Sequence, residues 1–207
     1  MREAVIVDAI RSPIGRGKPI KGDLSGVHPV ILLSKLLDSL VQRNGLQYED
    51  VEQVIAGCVT QAGEQSNNLA RNAWLWLGKN WKTGATTVDS QCGSAQQANH
   101  MISAMIQGGS LDIGIACGVE SMSRVGLGMN VMSGPGYFHP DGWPWDQTRD
   151  QFTSVERMVK NRGLKREDID KFAFESQAKA AAAWKAGHFD REVLPIEAPI
   201  LGEDGQP

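Results

Sequence analysis

The chain has 207 residues, of which 41% are apolar and 22% charged, with a net charge of −3. That length can bury a sizeable core in one or two domains, and the composition is that of an ordinary water-soluble globular protein. The charge leaves no electrostatic footprint for nucleic acid, and no apolar run approaches the ~20 residues of a membrane-spanning helix.

Ala4 to Ile10 is short and β-branched, ends at the Arg11-Ser12-Pro13 breaker, and reads as a buried strand. Asp8 interrupts its apolar run, which makes it a poor signal peptide. A Gly-rich stretch follows (Gly15, Gly17, Gly22, Gly26). It has neither GxGxxG spacing nor a P-loop Lys-Ser/Thr, so it is expected to be a loop rather than a phosphate cradle. Pro29 to Asn44 predicts a helix with Val30, Leu33, Leu37, Leu40 and Val41 on one side, Pro29 at its start and Gly45 at its stop.

Val51 to Thr60 predicts a second strand. Asn67 to Leu77 predicts a second helix, with Leu69, Ala73, Trp76 and Leu77 as apolar positions. Thr83 to Ser90 is the third expected strand and Gly93 to Gln107 the third helix. Leu111 to Cys117 is a fourth strand, apolar enough to be expected under cover on both faces. Strands alternating with helices define an α/β fold, a mainly parallel or mixed sheet with helices packed on it. Ser121 to Asp150 is rich in Gly, Pro, Met and Trp without a sustained period, the pattern of a functional loop or lid. Helical pattern returns over Phe152 to Asn161 and Arg166 to Ala186. A new apolar segment, Val193 to Leu201, begins shortly before the polar Gly202–Pro207 tail.

Three cysteines, Cys58, Cys92 and Cys117, lie far apart without a Cys-x-x-Cys pair. Neither a metal site nor a disulfide framework is expected, and a reducing cytoplasmic setting fits. Cys58 and Cys117 close apolar strands and read as inert buried thiols. Cys92 differs. It stands in TTVDSQCGSAQQANHMISAMIQGG, Thr86 to Gly109, where a β-rich run meets a helix. Free N–H groups and positive partial charge at a helix start favour a thiolate and then an oxyanion. Two readings stay open on spacing alone: an acyl-accepting nucleophile, or a small cysteine in a tight turn.

A cysteine nucleophile needs a base. His100 is eight residues on, about 12 Å along a helix axis and out of reach. His28 reads as a helix-start residue. His139 and His188 reach Cys92 only through tertiary folding. Glu64, Gln65, Asn67, Asn68 and Arg71 form a polar cluster, read either as caps or as support for a neighbouring site. Met122, Met129 and Met132, and Trp143 with Trp145, either line a substrate channel or pack the long loop. Gly93, Ser94, Met122, Trp143 and Trp145 are the candidate pocket residues.

Several separated motifs resemble those of thiolases. Arg2-Glu3-Ala4-Val5-Ile6-Val7 with Arg11-Ser12-Pro13-Ile14-Gly15 is similar to their opening. Val51 to Ile55, Gln61-Ala62-Gly63 and Asn68 to Arg71 are similar to the second strand and its helix. Val88-Asp89-Ser90-Gln91-Cys92-Gly93-Ser94 resembles the nucleophile motif, and Gly118 to Ser123 the segment after the fourth strand. Arg166 to Asp168, Phe172-Ala173, Ser176-Gln177 and Gly187 to Asp190 resemble the loop domain. Gly57 to Gln61, Gly63 to Asn68 and Ser123 to Gly128 look most like actinobacterial sterol side-chain thiolases. Asp89, where the family commonly has Asn, and Gln96, where it has an apolar residue, depart from the pattern.

The resemblance implies a thiolase-like N-terminal core domain (1–120), a mixed sheet with helices on both faces, and part of a helical loop domain (121–207). It implies acyl transfer through a Cys92 thioester, with the Cys92 backbone N–H in an oxyanion hole. Acyl-CoA and CoA would be the partners, with no permanently bound cofactor and no metal. A homodimer or tetramer is implied for the full-length form, with Thr83 to Ser90 near the dimer interface. Thiolases are roughly twice this length, and their second half supplies the activating histidine and a second cysteine. The chain alone is therefore expected to be inactive. The alternatives are a half-length subunit needing a partner chain, or a non-catalytic acyl-CoA-binding or structural protein on the same scaffold.

Overall fold

A computed structural model describes residues 2–132, 134–135, 139–146, 148 and 150–206. Ser133, Gly136, Tyr137, Phe138, Gln147 and Arg149 of the expected long loop, with Met1 and Pro207, lie outside the described residues.

Three five-residue strands, β1 (Gln53–Gly57), β2 (Gly84–Val88) and β3 (Gly114–Gly118), form a sheet in the order β2-β1-β3. Both pairings are parallel, and Gln53 is in register with Gly84 on one side and Gly114 on the other. Parallel strands need crossovers, supplied here by α2 (Leu69–Trp76) between β1 and β2 and α3 (Ser94–Gln107) between β2 and β3. α1 (Pro29–Arg43) precedes the sheet.

The period of two along β1 assigns the faces. Val54 and Ala56 join a core with Leu33, Leu37 and Val41 of α1 and Leu69, Ala73 and Trp74 of α2. Ile55 points the other way, into a smaller cluster with Ala98 and Ile102 of α3. Helices therefore cover both faces. Trp74 is fully buried, and its indole N–H donates to the Asn80 carbonyl at 2.7 Å, which removes the desolvation cost of the ring nitrogen.

The helix starts follow their caps. His28 caps α1, its Nδ1 accepting the Val30 N–H at 3.2 Å, and Gly45 in the left-handed region (φ 66°) follows its end. Asn68 caps α2 through Oδ1, which accepts the Arg71 N–H at 3.4 Å. In α2 the helical face is displaced from the expected one: Ala70 and Trp74 are buried with Leu69 and Ala73, whereas Trp76 is 62% exposed. Trp74 fills the space beside Tyr48, with ring centroids 6.2 Å apart, so the neighbouring tryptophan faces outward.

Two expectations are corrected. Ala4 to Ile10 is not a buried strand. Val5, Ile6 and Val7 are exposed and belong to no strand of the sheet. An apolar run is buried only where another element covers it, and among the described residues none does. Polar contacts tether the segment instead, Arg2 to Asp112 and Arg43 to Asp8 at 2.8 Å. β3 is likewise not covered throughout. Ile115 packs into the α1/α2 core and Ala116 against the α3 cluster, but only Ile115 is buried and the other residues are half-buried, because β3 lies at the sheet edge.

Contacts divide the chain into two units, residues 1–134 with 192–207, and residues 135–191. In the first, the 192–207 segment returns to the N-terminal region: the Arg11 N–H donates to the Glu192 carbonyl and the Leu194 N–H to the Arg11 carbonyl, both at 2.8 Å. The second contains α4 (Gln151–Arg162) and α5 (Arg166–Lys185). Asp150 caps α4 by accepting the Thr153 N–H at 2.8 Å, and Gly163 (φ 62°) ends it. Neither helix has a buried residue, and Phe152, Phe172, Phe174 and Trp184 are exposed. Among the described residues no helix is long and apolar enough to cross a membrane.

Candidate functional site at the C-terminal ends of the strands

In an open parallel sheet, sites form where the chain leaves the C-terminal ends of the strands. Here these exits are residues 58–65 after β1, 89–93 after β2 and 119–125 after β3.

The β2 exit carries Cys92, which is exposed and stands two residues before the first residue of α3. The turn is built from side chains. The Ser94 hydroxyl accepts the Ser90 N–H at 2.9 Å and donates to the Gln91 carbonyl at 2.5 Å. Asp89 Oδ1 accepts the Gln91 N–H at 2.8 Å. Between these anchors Gln91 takes a left-handed conformation, φ 53°. The Gly93 N–H donates to the Ser90 carbonyl at 3.2 Å, and no side chain caps α3. Cys92 thus sits on a turn that leads directly into the N-terminus of a 14-residue helix.

α3 sits low on the sheet because two strands end in glycine. A Cβ built on Gly57 would lie 2.4 Å from the Ala95 nitrogen, and one on Gly118 would lie 3.1 Å from the Ala95 Cβ. The other two thiols are chemically quiet. Burial, reinforced by the charges of Glu120 and Asp89, pushes Cys58 up to about 12, and burial alone does the same for Cys117.

The other exits are braced by residues of the Gly63–Asn68 and Gly118–Ser123 segments, whose partners the sequence did not reveal. The Glu120 carboxylate accepts the Val59 N–H at 2.8 Å, the Thr60 N–H at 3.2 Å and the Gln65 side-chain N–H at 3.2 Å. Gln65, fully buried, accepts the Ser121 N–H at 2.6 Å. The available signal was generic: a glutamate directly after an apolar strand needs buried partners. Arg124 makes a two-pronged ion pair with Glu64 and donates to the Ser25 carbonyl at 2.6 Å. That pairing holds the Glu64 carboxyl below its ordinary range.

Of the candidate pocket residues, Gly93 and Ser94 adjoin Cys92, but Ser94 is buried under the turn and shapes it from below rather than lining a pocket. Met122 lines a cavity of about 320 Å³ with Arg11, Leu33, Gly118 and Glu120, and Cys92 does not line that cavity. Trp143 and Trp145 belong to the second unit, where Trp143 stacks on His139 with ring centroids 4.3 Å apart. Met129 and Met132 are exposed. His28 caps α1, with Nε2 3.9 Å from Glu64, and His100 is exposed on α3. Among the described residues no group of His, Cys, Asp and Glu has the arrangement of a metal site.

A parallel sheet covered by helices on both faces, with a cysteine on the turn into a helix N-terminus, is the architecture of an α/β protein suited to thiol chemistry. The family model for the thiolase N-terminal domain matches residues 4–206, and the chain belongs to the thiolase family. It is 34% identical to the steroid 3-ketoacyl-CoA thiolase FadA6 of Mycobacterium tuberculosis, covering 95% of this chain and 50% of that protein. It is 34% identical to a 3-ketoacyl-CoA thiolase of Bacillus subtilis, covering 100% and 52%. Among solved structures, the Bacillus anthracis acetyl-CoA acetyltransferase superposes with a TM-score of 0.75 at 29% identity, covering 96% of this chain and 52% of that one. The Ascaris suum Acat5 thiolase in complex with coenzyme A gives 0.74 at 26%, covering 94% and 52%. The chain spans about half the length of each of these relatives.

Proposed function

We propose that this chain provides the acyl-accepting part of a thiolase. The observation that carries the reading is the exposed Cys92 on a hydrogen-bonded turn at the α3 N-terminus, within a family match over residues 4–206. The Cys92 thiolate adds to the ketone carbonyl of a 3-ketoacyl-CoA. The bond between that carbonyl carbon and the α-carbon then breaks. The electron pair leaves on the acetyl-CoA enolate, which takes up a proton, and the shortened acyl group stays on Cys92 as a thioester. The thiol of a second CoA removes it, and the Cys92 backbone N–H contributes to the oxyanion hole. CoA is thus a co-substrate rather than a resident cofactor.

His28 is engaged as the α1 cap, and the resemblance to thiolases, whose second half supplies the activating histidine, assigns the general base to residues outside this chain. The exposed apolar residues Val5, Ile6 and Val7, and those of α4 and α5, favour a chain that works against further polypeptide, covalently continuous or a separate subunit. The open edge of β2 supports association with a second copy. Both a steroid-bearing and a short 3-ketoacyl substrate are compatible with the reading, since FadA6 and the Bacillus subtilis 3-ketoacyl-CoA thiolase are equally similar at 34%.

Incubation with acetoacetyl-CoA tests the proposal. Intact mass and peptide mapping are expected to find an acetyl group on Cys92, with no multiple turnover when CoA is added to the chain alone. Absence of acyl transfer to Cys92, alone and with a complementary C-terminal half, leaves the non-catalytic reading. Sedimentation is expected to find dimers or larger species, and a monodisperse monomer overturns the association.

A further inference from the structure

We propose that Asp89 is a positioning residue for Cys92, acting through an acceptor oxygen rather than through its charge. Gln91 immediately precedes the thiol and is a non-glycine residue in the left-handed region at φ 53°. That conformation is disfavoured by steric crowding of Cβ and persists only where surrounding contacts enforce it. Gln91 is exposed, so packing does not enforce it. Hydrogen bonds at its two ends do. Its N–H donates to Asp89 Oδ1 at 2.8 Å, and its carbonyl accepts both the Ser94 hydroxyl at 2.5 Å and the Ser94 N–H at 2.9 Å.

The Ser94 contacts anchor the exit from the turn and the Asp89 contact anchors its entry. The dihedrals of Gln91 set the direction in which the chain enters Cys92, and hence where Sγ points relative to the start of α3. Without the Asp89 acceptor, the Gln91 peptide relaxes toward an extended conformation and the Cys92 side chain is redirected. Glycine at position 91 occupies the left-handed region without this help.

The purpose of this geometry rests on the acyl-acceptor reading of Cys92, but the readout does not. The rate of Cys92 alkylation by iodoacetamide, a neutral reagent without CoA, is measured by peptide mapping against added glutathione as reference. Asp89→Ala is expected to slow it about tenfold, the scale of a modest misplacement of a reacting group. Asp89→Asn, which keeps Oδ1 and removes the charge, is expected to stay within about twofold of wild type, and Asp89→Ala with Gln91→Gly to recover most of the loss. If Asp89→Ala does not fold, Asp89→Gln, with its acceptor one methylene further out, replaces it in both arms. Wild-type rates in Asp89→Ala, equal slowing in Asp89→Asn, or no recovery in the double variant overturns the proposal. Failure of wild-type Cys92 to accept an acetyl group from acetoacetyl-CoA, with the alkylation pattern intact, overturns the functional reading alone.

Discussion

The hydroxyl of Ser94 lies beneath the backbone of Ser90, accepting its N–H at 2.9 Å while donating to the next carbonyl, that of Gln91. One side chain of α3 thereby closes the turn that carries Cys92, and it is 4% exposed. Ser94→Ala leaves the Ser90 N–H without its partner and the Gln91 carbonyl with only the Ser94 N–H. The expected cost is about 1 kcal/mol, that of losing a helix-start hydroxyl, together with slower Cys92 alkylation. Denaturant unfolding and alkylation kinetics check both, and an unchanged alkylation rate contradicts this role for the hydroxyl.

Gly57 is predicted to tolerate no side chain. A Cβ there would lie 2.4 Å from both the Ala95 nitrogen and the Ser94 carbonyl carbon, which are backbone atoms of the first turn of α3 and cannot swing aside. Gly57→Ala is expected to destabilise by about 1–3 kcal/mol through overpacking, and Gly57→Val by more. Thermal unfolding measures this, and a Gly57→Ala protein as stable as wild type contradicts the close approach.

The three thiols are expected to separate by reactivity. With Cys58 and Cys117 both held up to about 12, each stays protonated through the neutral and mildly alkaline range, and the thiolate is the reactive form. Native protein treated with iodoacetamide at about pH 8 is expected to gain one adduct, on Cys92, and three after unfolding. Equal labelling of Cys58 in the native state rules this out.

Acid is expected to weaken the Glu64–Arg124 clasp. Hydrogen bonding to Arg124, opposed by partial burial, lowers the Glu64 folded-state pKa below its unfolded value. A depressed acid contributes stability that is fully present above the unfolded pKa, ~4.3, and lost as pH falls through the folded one. Glu64→Gln should therefore cost on the order of 0.5–1 kcal/mol at neutral pH, since the pair is partly exposed, and the difference from wild type should shrink below about pH 4. A difference independent of pH over that window excludes the ion pair as its source.

Ile6 is 86% exposed, so Ile6→Lys is expected to change the stability of the isolated chain by no more than about 0.5 kcal/mol. A loss several times larger, by urea unfolding, would show the segment buried in solution.

The alternation of strands and helices, the α1 stripe of Val30, Leu33, Leu37 and Val41, and the Pro29 and Gly45 boundaries were legible in the amino-acid order. They rest on local periodicity and on backbone preferences that each residue carries with it. Cys92 at a strand-to-helix junction was legible for the same reason, and the separated motifs supplied the family. Tertiary structure decided the rest. The sequence carries the same apolar signal in Ala4–Ile10 as in β1, yet one is exposed and the other buried, because burial depends on which element arrives to cover a face. Glu120 reaching Val59, and Gln65 reaching Ser121, join residues more than fifty positions apart, and a half-buried carboxylate or a buried amide gives no periodic sign of its partner. The turn around Cys92 lies between these cases. Asp89, Gln91 and Ser94 are neighbours in sequence and their hydrogen bonds are local, but only the fold seats the start of α3 on Gly57 and shows that these bonds hold Gln91 left-handed.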